Sequence, residues 1–257
     1  MASCTLHFHG QLAQLLSTSR QNGTVHYSLT RRASIKDILE ALGPPHTEIG
    51  RIMLDGRPVD FNFIPQPGQI LHIHPLQPPV NPCLPSFLRP HPLPEWRFIV
   101  DVNVGKLARL LRILGLDAAY HWTWRDGHIA QRAETERRIV LSKDHGLLKR
   151  NQIQWGRLIR AQAPEDQLLE VLSFFDLQPP FALFSRCLAC NIPLQPVAKK
   201  EIEHRLEPKT KRYFHHFHLC PGCGRIYWRG SHHQHMQAWL QKIIPGLNSH
   251  AGCSSAP

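Results

Sequence analysis

The chain has 257 residues, 42% of them hydrophobic, and 30 basic against 19 acidic side chains give it a formal charge of +11. That length allows more than one domain, and no stretch reaches the roughly 20 apolar residues of a membrane helix, so no membrane partner is expected. The N-terminal MASCTLHFHG has no basic segment followed by an apolar run, which argues for a cytoplasmic rather than a secreted protein, and the positive balance favours a polyanionic partner.

Residues 1–75 read as a first domain. TLHFH at 5–9 alternates polar and apolar as a half-buried strand does, and residues 26–29 predict a second strand. Ser34 stands as the N-cap of a helix reaching Leu42, with Asp37 at the capping-box position and Gly43–Pro44–Pro45 ending it. Residues 52–54 predict a strand, Asp55–Gly56 a hairpin turn, and residues 69–74 a closing strand. This order, with PHTEIGRIMLDGRPVDF and PGQILHIHP, resembles the ubiquitin-like β-grasp domains, and among them the small sulfur-carrier proteins. The carriers activate a terminal Gly-Gly carboxylate, whereas here the last strand runs into His74–Pro75 and the chain continues. The resemblance therefore implies a packing role or a protein partner for this domain, not sulfur transfer.

Residues 76–95, LQPPVNPCLPSFLRPHPLPE, are dense in proline and lack an amphipathic period. They predict a semi-rigid linker separating the first domain from the second. From residue 96 to 182 short apolar strands alternate with helices, predicting an α/β domain with a largely parallel sheet. Strands are expected at 97–101, 116–120, 138–142 and 156–160. Helices are expected at 105–114, 128–136 and 164–174. The leucines of the first helix face a core, while Lys106, Arg109 and Arg112 share another stripe.

Residues 183–236 form a third unit, followed by a tail at 237–257 whose first part, around Trp239 and Ile243, extends a terminal helix. Cys187-x-x-Cys190 and Cys220-x-x-Cys223 predict two knuckles that point four thiolates at one Zn²⁺. A closed four-thiolate shell has no position for a substrate water, so the zinc is read as structural. Cys4, Cys83 and Cys253 are scattered, which fits a reducing compartment better than a disulfide framework. Lys199, Lys200, Arg205, Lys209, Lys211 and Arg212 lie between the knuckles and serve either phosphate or solvent. The histidines at 215, 216, 218, 232, 233 and 235 read as surface, RNA-contacting or packing groups.

Asp101 and Asp144 each follow a strand expected in the parallel sheet, so both fall at the edge where open α/β folds place ligands. Asp126, near a helix start, is positioned to join them. Carboxylates brought together call for a hard cation, Mg²⁺ or Mn²⁺; the alternative is a cap at Asp126 and ordinary salt bridges elsewhere. The runs FIVDVNVGKLARLLRILGLDAAY, RDGHIAQRA, RRIVLSKDHGLLKR, SRCLACN and CPGCGRIYWRGSHHQHM resemble a PIN-like ribonuclease family, first recognised as the C-terminal domain of a nematode mutator exonuclease. Its bacterial members carry a similar N-terminal ubiquitin-like domain. The resemblance implies metal-dependent RNA cleavage, with Asp101, Asp126 and Asp144 as catalytic metal ligands. Asp117 and Asp166 are candidates by type for the family's fourth acid. Lys143 is suited to offset phosphate charge, and Lys106, Arg109, Arg112, Lys149 and Arg150 to hold the RNA backbone. Competing readings are an RNA-binding module whose catalytic site has decayed, and a toxin-like nuclease.

Overall fold

The structure, a computed structural model, describes residues 2–16, 22–244, 246 and 247. In the first unit β1 (Ser3–Phe8), β2 (Thr24–Ser28), α1 (Ile35–Leu42), β3 (Ile49–Leu54), β4 (Arg57–Pro58) and β5 (Ile70–Pro75) follow one another. They make one five-stranded sheet in the order β2-β1-β5-β3-β4. Ser34 caps α1 by accepting the Asp37 N–H at 3.2 Å. Gly43 ends the helix at φ 138°, where an added Cβ would lie 2.2 Å from the Leu15 carbonyl oxygen. Alternation does the rest: Leu6, Phe8, Leu71 and Ile73 are buried with α1, and the histidines between them face outward.

The second unit comprises β6 (Arg97–Val100), α2 (Gly105–Ile113), β7 (Asp117–Ala119), α3 (Asp126–Thr135), β8 (Ile139–Ser142), α4 (His145–Leu148), β9 (Gly156–Leu158) and α5 (Pro164–Phe175). Its four strands are all parallel, ordered β7-β6-β8-β9. Both faces are covered, which explains why the strands read as continuous apolar runs. Phe98, Val100, Ile139 and Leu141 pack with Leu107, Leu111, Leu168 and Phe175 on one face. Ile99 and Val140 pack with Ile129, Ala133, Leu147 and Leu158 on the other.

The last unit has β10 (Gln195–Val197), α6 (Lys199–Ile202), α7 (Pro208–Tyr213), β11 (Phe217–Leu219), β12 (Ile226–Trp228) and α8 (Ser231–Ile243). The strands form an antiparallel sheet in the order β10-β11-β12. α8 crosses the boundary expected at residue 236, and Leu240 and Ile244 enter the core of the second unit. Residues 248–257, with Cys253, lie outside the described residues. No described helix is long and apolar enough to cross a membrane.

The sequence predicts that the proline-rich segment holds the first two units apart, but it packs against both. Val80 and Leu93 enter the core of the second unit and Leu88 that of the first. Arg89, buried, donates to the carbonyls of His46 (2.8 Å), Ile49 (2.9 Å) and Gln154 (3.1 Å), bridging the two. Its guanidinium lies 4.7 Å from the Trp155 ring, and burial lowers its pKa to about 10. Prolines extend the segment, but the apolar residues between them are spaced to reach both cores.

Candidate active site and cysteine cluster

β6 and β8 lie side by side and parallel, so their C-terminal ends open on one edge of the sheet. Asp101, which follows β6, is 4% exposed. Its Oδ1 accepts the Val102 N–H at 2.6 Å, and its Oδ2 accepts Asn103 Nδ2 at 2.6 Å and the Ser142 hydroxyl at 2.7 Å. Ser142 Oγ in turn accepts the Asp144 N–H at 2.8 Å, and Asn103 Oδ1 accepts the Lys143 N–H at 3.1 Å. A closed ring of hydrogen bonds therefore joins the ends of β6 and β8. Three donors reach the Asp101 carboxyl, and Oδ1 has a single partner. Asp144 is exposed and caps α4 by accepting the Gly146 N–H at 2.6 Å. Lys143 donates to Gln162 Oε1 at 2.7 Å.

Asp126 opens α3 rather than preceding it. It lines a cleft of about 1040 Å³ with Trp124, Arg125, His128 and Arg150. Asp101, Asp126 and Asp144 are not gathered at ligand distance. Among the described residues, the only group of three or more His, Cys, Asp or Glu side chains with ligand atoms all within 4.8 Å is the cysteine set. Neither fourth-acid candidate joins them. Asp117 is bound to Arg138 at 2.5 Å and to Asn191 at 2.8 Å; burial works against its charge, but those partners outweigh it and lower its pKa. Asp166 is exposed in the first turn of α5.

Of the basic residues, Lys106 and Arg109 are exposed on α2, and Arg150 is exposed after α4. Two others are committed elsewhere. Arg112 is buried and donates to the carbonyls of Ala118 (2.8 Å), Leu188 (2.9 Å) and Ala189 (3.0 Å). It holds the first cysteine knuckle, and its burial there does not suit a contact to RNA. The Lys149 ammonium donates to the Glu40 carbonyl at 2.7 Å, tying α4 to α1 of the first unit.

The four cysteines converge: Cys187 Sγ lies 3.5 Å from Cys223 Sγ, and Cys190 Sγ lies 3.3 Å from Cys220 Sγ. Four thiolates on one zinc at about 2.3 Å would sit about 3.8 Å apart, so this spacing is compatible with zinc. Burial opposes the Cys187 thiolate, but bonds from Tyr227 and from backbone N–H groups outweigh it and lower its pKa to about 6. Burial and the neighbouring cysteines push Cys190 up to about 12. Four sulfurs this close ionise together only around a cation. The histidines of this region do not add a second such group; His233 packs on Phe184 with ring centroids 3.9 Å apart.

The sequence reading missed Asn103 and Tyr227. Asn103 was findable as the polar residue two positions after Asp101. Tyr227, which binds Cys187 at 3.1 Å and the Leu188 N–H at 3.1 Å, carries no local signal.

No curated protein and no solved structure matches the chain. Two family models do. Residues 1–81 match the Mut7-C ubiquitin model, which assigns a ubiquitin-like N-terminal domain. Residues 96–240 match the Mut7-C RNAse domain, more than half of the sequence. The chain therefore belongs to the Mut7-C RNAse domain family.

Proposed function

We propose that this chain hydrolyses RNA phosphodiester bonds on a PIN-like scaffold, at the sheet edge formed by Asp101 and Asp144. The reading rests on one observation above the others: in a chain of a ribonuclease family, the Asn103–Ser142 ring fixes a buried carboxylate in place where a parallel sheet opens to ligands. The donors offered there are carboxylate oxygens, a set that fits Mg²⁺ or Mn²⁺ with retained waters. When bound, such an ion supplies an activated water and neutralises charge developing on the phosphate. Asp101 and Asp144 would hold it, and Asp126 would join through a water.

Ser142 and Asn103 set the orientation of Asp101. Lys143, beside both acids, offsets phosphate charge once it leaves Gln162. Lys106, Arg109 and Arg150 hold the RNA backbone. The four cysteines hold structural zinc in a ribbon that docks on α2 through Arg112, and the N-terminal unit is a β-grasp domain.

A second reading, RNA binding without turnover, is favoured by the separation of the three carboxylates and by the three donors already on Asp101. Incubating a labelled RNA pool with Mn²⁺ separates the two. We expect cleavage by the wild type, reduced to the level of the buffer blank in both Asp101→Asn and Asp144→Asn. Asp144 is exposed, so its variant keeps the test meaningful if Asp101→Asn unfolds. Equal cleavage by all three proteins would remove the site from this edge, and retained RNA binding with no cleavage would select the second reading.

A further inference from the structure

The loop after β7 presents a feature that the proposed chemistry does not use. Trp122 is 72% exposed, far more than a ring with a packing role. It does not dangle. The Trp124 N–H donates to the His121 carbonyl at 3.2 Å, which closes a turn with Trp122 and Thr123 at its tip. The Thr123 hydroxyl binds His121 Nδ1 at 2.6 Å and stiffens that turn. Trp124 is half-buried against the core beneath α3, anchoring the loop at its base.

Four rings follow one another, three in the loop and His128 in the first turn of α3. The His121 centroid is 5.9 Å from Trp122 at an interplanar angle of 23°, and 6.0 Å from Trp124. Trp124 is 5.2 Å from His128, also at 23°. Trp124 is half-buried, and Arg132 lies 4.3 Å from its ring. Trp122, at the end of the series, keeps its outward face open.

The surroundings select the occupant. Arg125 and Arg150 line the cleft beside this loop with Asp126, and both are exposed. Neither guanidinium has an ion-pair partner among the described residues. The loop follows β7, whose C-terminal end opens on the same sheet edge as Asp101 and Asp144. A ligand lying here needs a flat π face for Trp122, anionic groups for the two arginines, and continuity with that edge. An unpaired nucleotide of RNA has all three. A duplex does not, because its bases are stacked on one another and cannot lie on the ring.

We infer that Trp122 is a stacking platform for an unpaired RNA base, with Arg125 and Arg150 holding the flanking phosphates, so that the site takes single-stranded RNA. The inference rests on the RNA-directed reading above and narrows its substrate class. Trp122 is a positioning residue, since it touches a base next to the reacting phosphate and not the reacting atoms.

The test is fluorescence anisotropy of labelled oligomers against the full chain, without added Mg²⁺ or Mn²⁺ so that no cleavage intervenes. Three probes are used: an unpaired RNA 12-mer, the same sequence as a duplex, and an abasic ribose-phosphate oligomer. Trp122→Ala should bind the unpaired RNA about tenfold more weakly than wild type. Trp122→Phe should recover most of the loss. Neither substitution should change binding of the duplex or the abasic oligomer. Equal affinity of wild type and Trp122→Ala for unpaired RNA overturns the inference, as does no binding by wild type or an equal loss for all three probes. Cleavage assays with Asp101→Asn keep the two claims distinguishable. Cleavage that is untouched by Trp122→Ala, with binding also untouched, sinks the platform alone. Base-dependent binding without any cleavage sinks the hydrolysis alone.

Discussion

Arg109 and Arg112 stand three positions apart on α2, and their different fates are decided by what lies across from each. Arg109 remains exposed, whereas Arg112 reaches the carbonyls of Leu188 and Ala189 between the first two cysteines. Replacing Arg112 by Met leaves buried carbonyls without donors. We expect Arg112→Met to lower stability by about 2–3 kcal/mol, read from urea denaturation. The proposed zinc should also pass faster to a chelator, because the knuckle loses its support. Unchanged denaturation and unchanged zinc release would mean that water replaces the guanidinium at no cost. At this scale the cysteines were legible, because their spacing is itself the ligand geometry. Arg112 was not, because helix periodicity assigns a stripe and says nothing of what faces it. Asp117 misled for the same reason: its type suits a metal, but Arg138 and Asn191 already occupy its carboxylate.

Among the elements, the decisive one is the segment 46–48 that leads into β3. Glu48 is 1% exposed, yet it accepts the Leu158 N–H at 2.8 Å and pairs with Arg157 at 2.9 Å and Arg160 at 3.1 Å. It thereby caps the outer edge of β9, the end strand of the parallel sheet, which would otherwise present unpaired backbone. His46 adds a bond from Nε2 to the Ile153 carbonyl at 2.7 Å. The ubiquitin-like domain is thus part of the nuclease domain's architecture and not a tethered appendage. Glu48→Gln leaves Arg157 with Glu170 as its remaining carboxylate partner and takes the ion pair from Arg160. It should cost about 3 kcal/mol in urea denaturation and make the segment 76–95 more sensitive to proteolysis. A variant as stable and as protease-resistant as wild type would show that the docking does not depend on this charge. Most strands and helices of the first two units lie close to their expected places, since alternation and capping are local, whereas β4 and α4 were not anticipated. The docking surface was not, since HTE at 46–48 reads in sequence as an ordinary polar turn.

At the scale of the whole molecule, the outer face of the first sheet gathers histidines that contribute to the response to pH. His7 on β1 and His9 just after it face His72 and His74 on β5, with Arg51 of β3 beside His74. His9 stacks on His74 with centroids 4.2 Å apart, and His9 Nε2 shares a hydrogen bond of 3.0 Å with His72 Nδ1. Partial burial, then the charges of His72 and His7, lower the His9 pKa below 6.5. Burial, then His9, Arg51 and His72, do the same for His74, and burial does so for His46 at the docking surface. The unfolded chain therefore takes up these protons first. Stability from this source is complete above about pH 6.5 and declines as the pH falls through that value toward the lower folded ones. The melting temperature should drop between about pH 7.5 and 5.5, and the pair His9→Asn with His74→Gln should flatten part of that drop. Parallel losses in wild type and the double variant would place the sensitivity elsewhere.

The main strands and helices of the first two units, their buried faces and the convergence of the four cysteines were readable from neighbouring residues, because period, caps and knuckle spacing act over a few positions. The resemblance to a ribonuclease family was readable too, from runs that keep their acids at strand ends. Long-range contact decided the rest. Glu48 meets Arg157 across 109 positions and Asp101 meets Ser142 across 41. No local pattern reports such a pair, since each partner alone is an ordinary polar residue. Its role exists only when folding removes water from around it and leaves the other as its available partner.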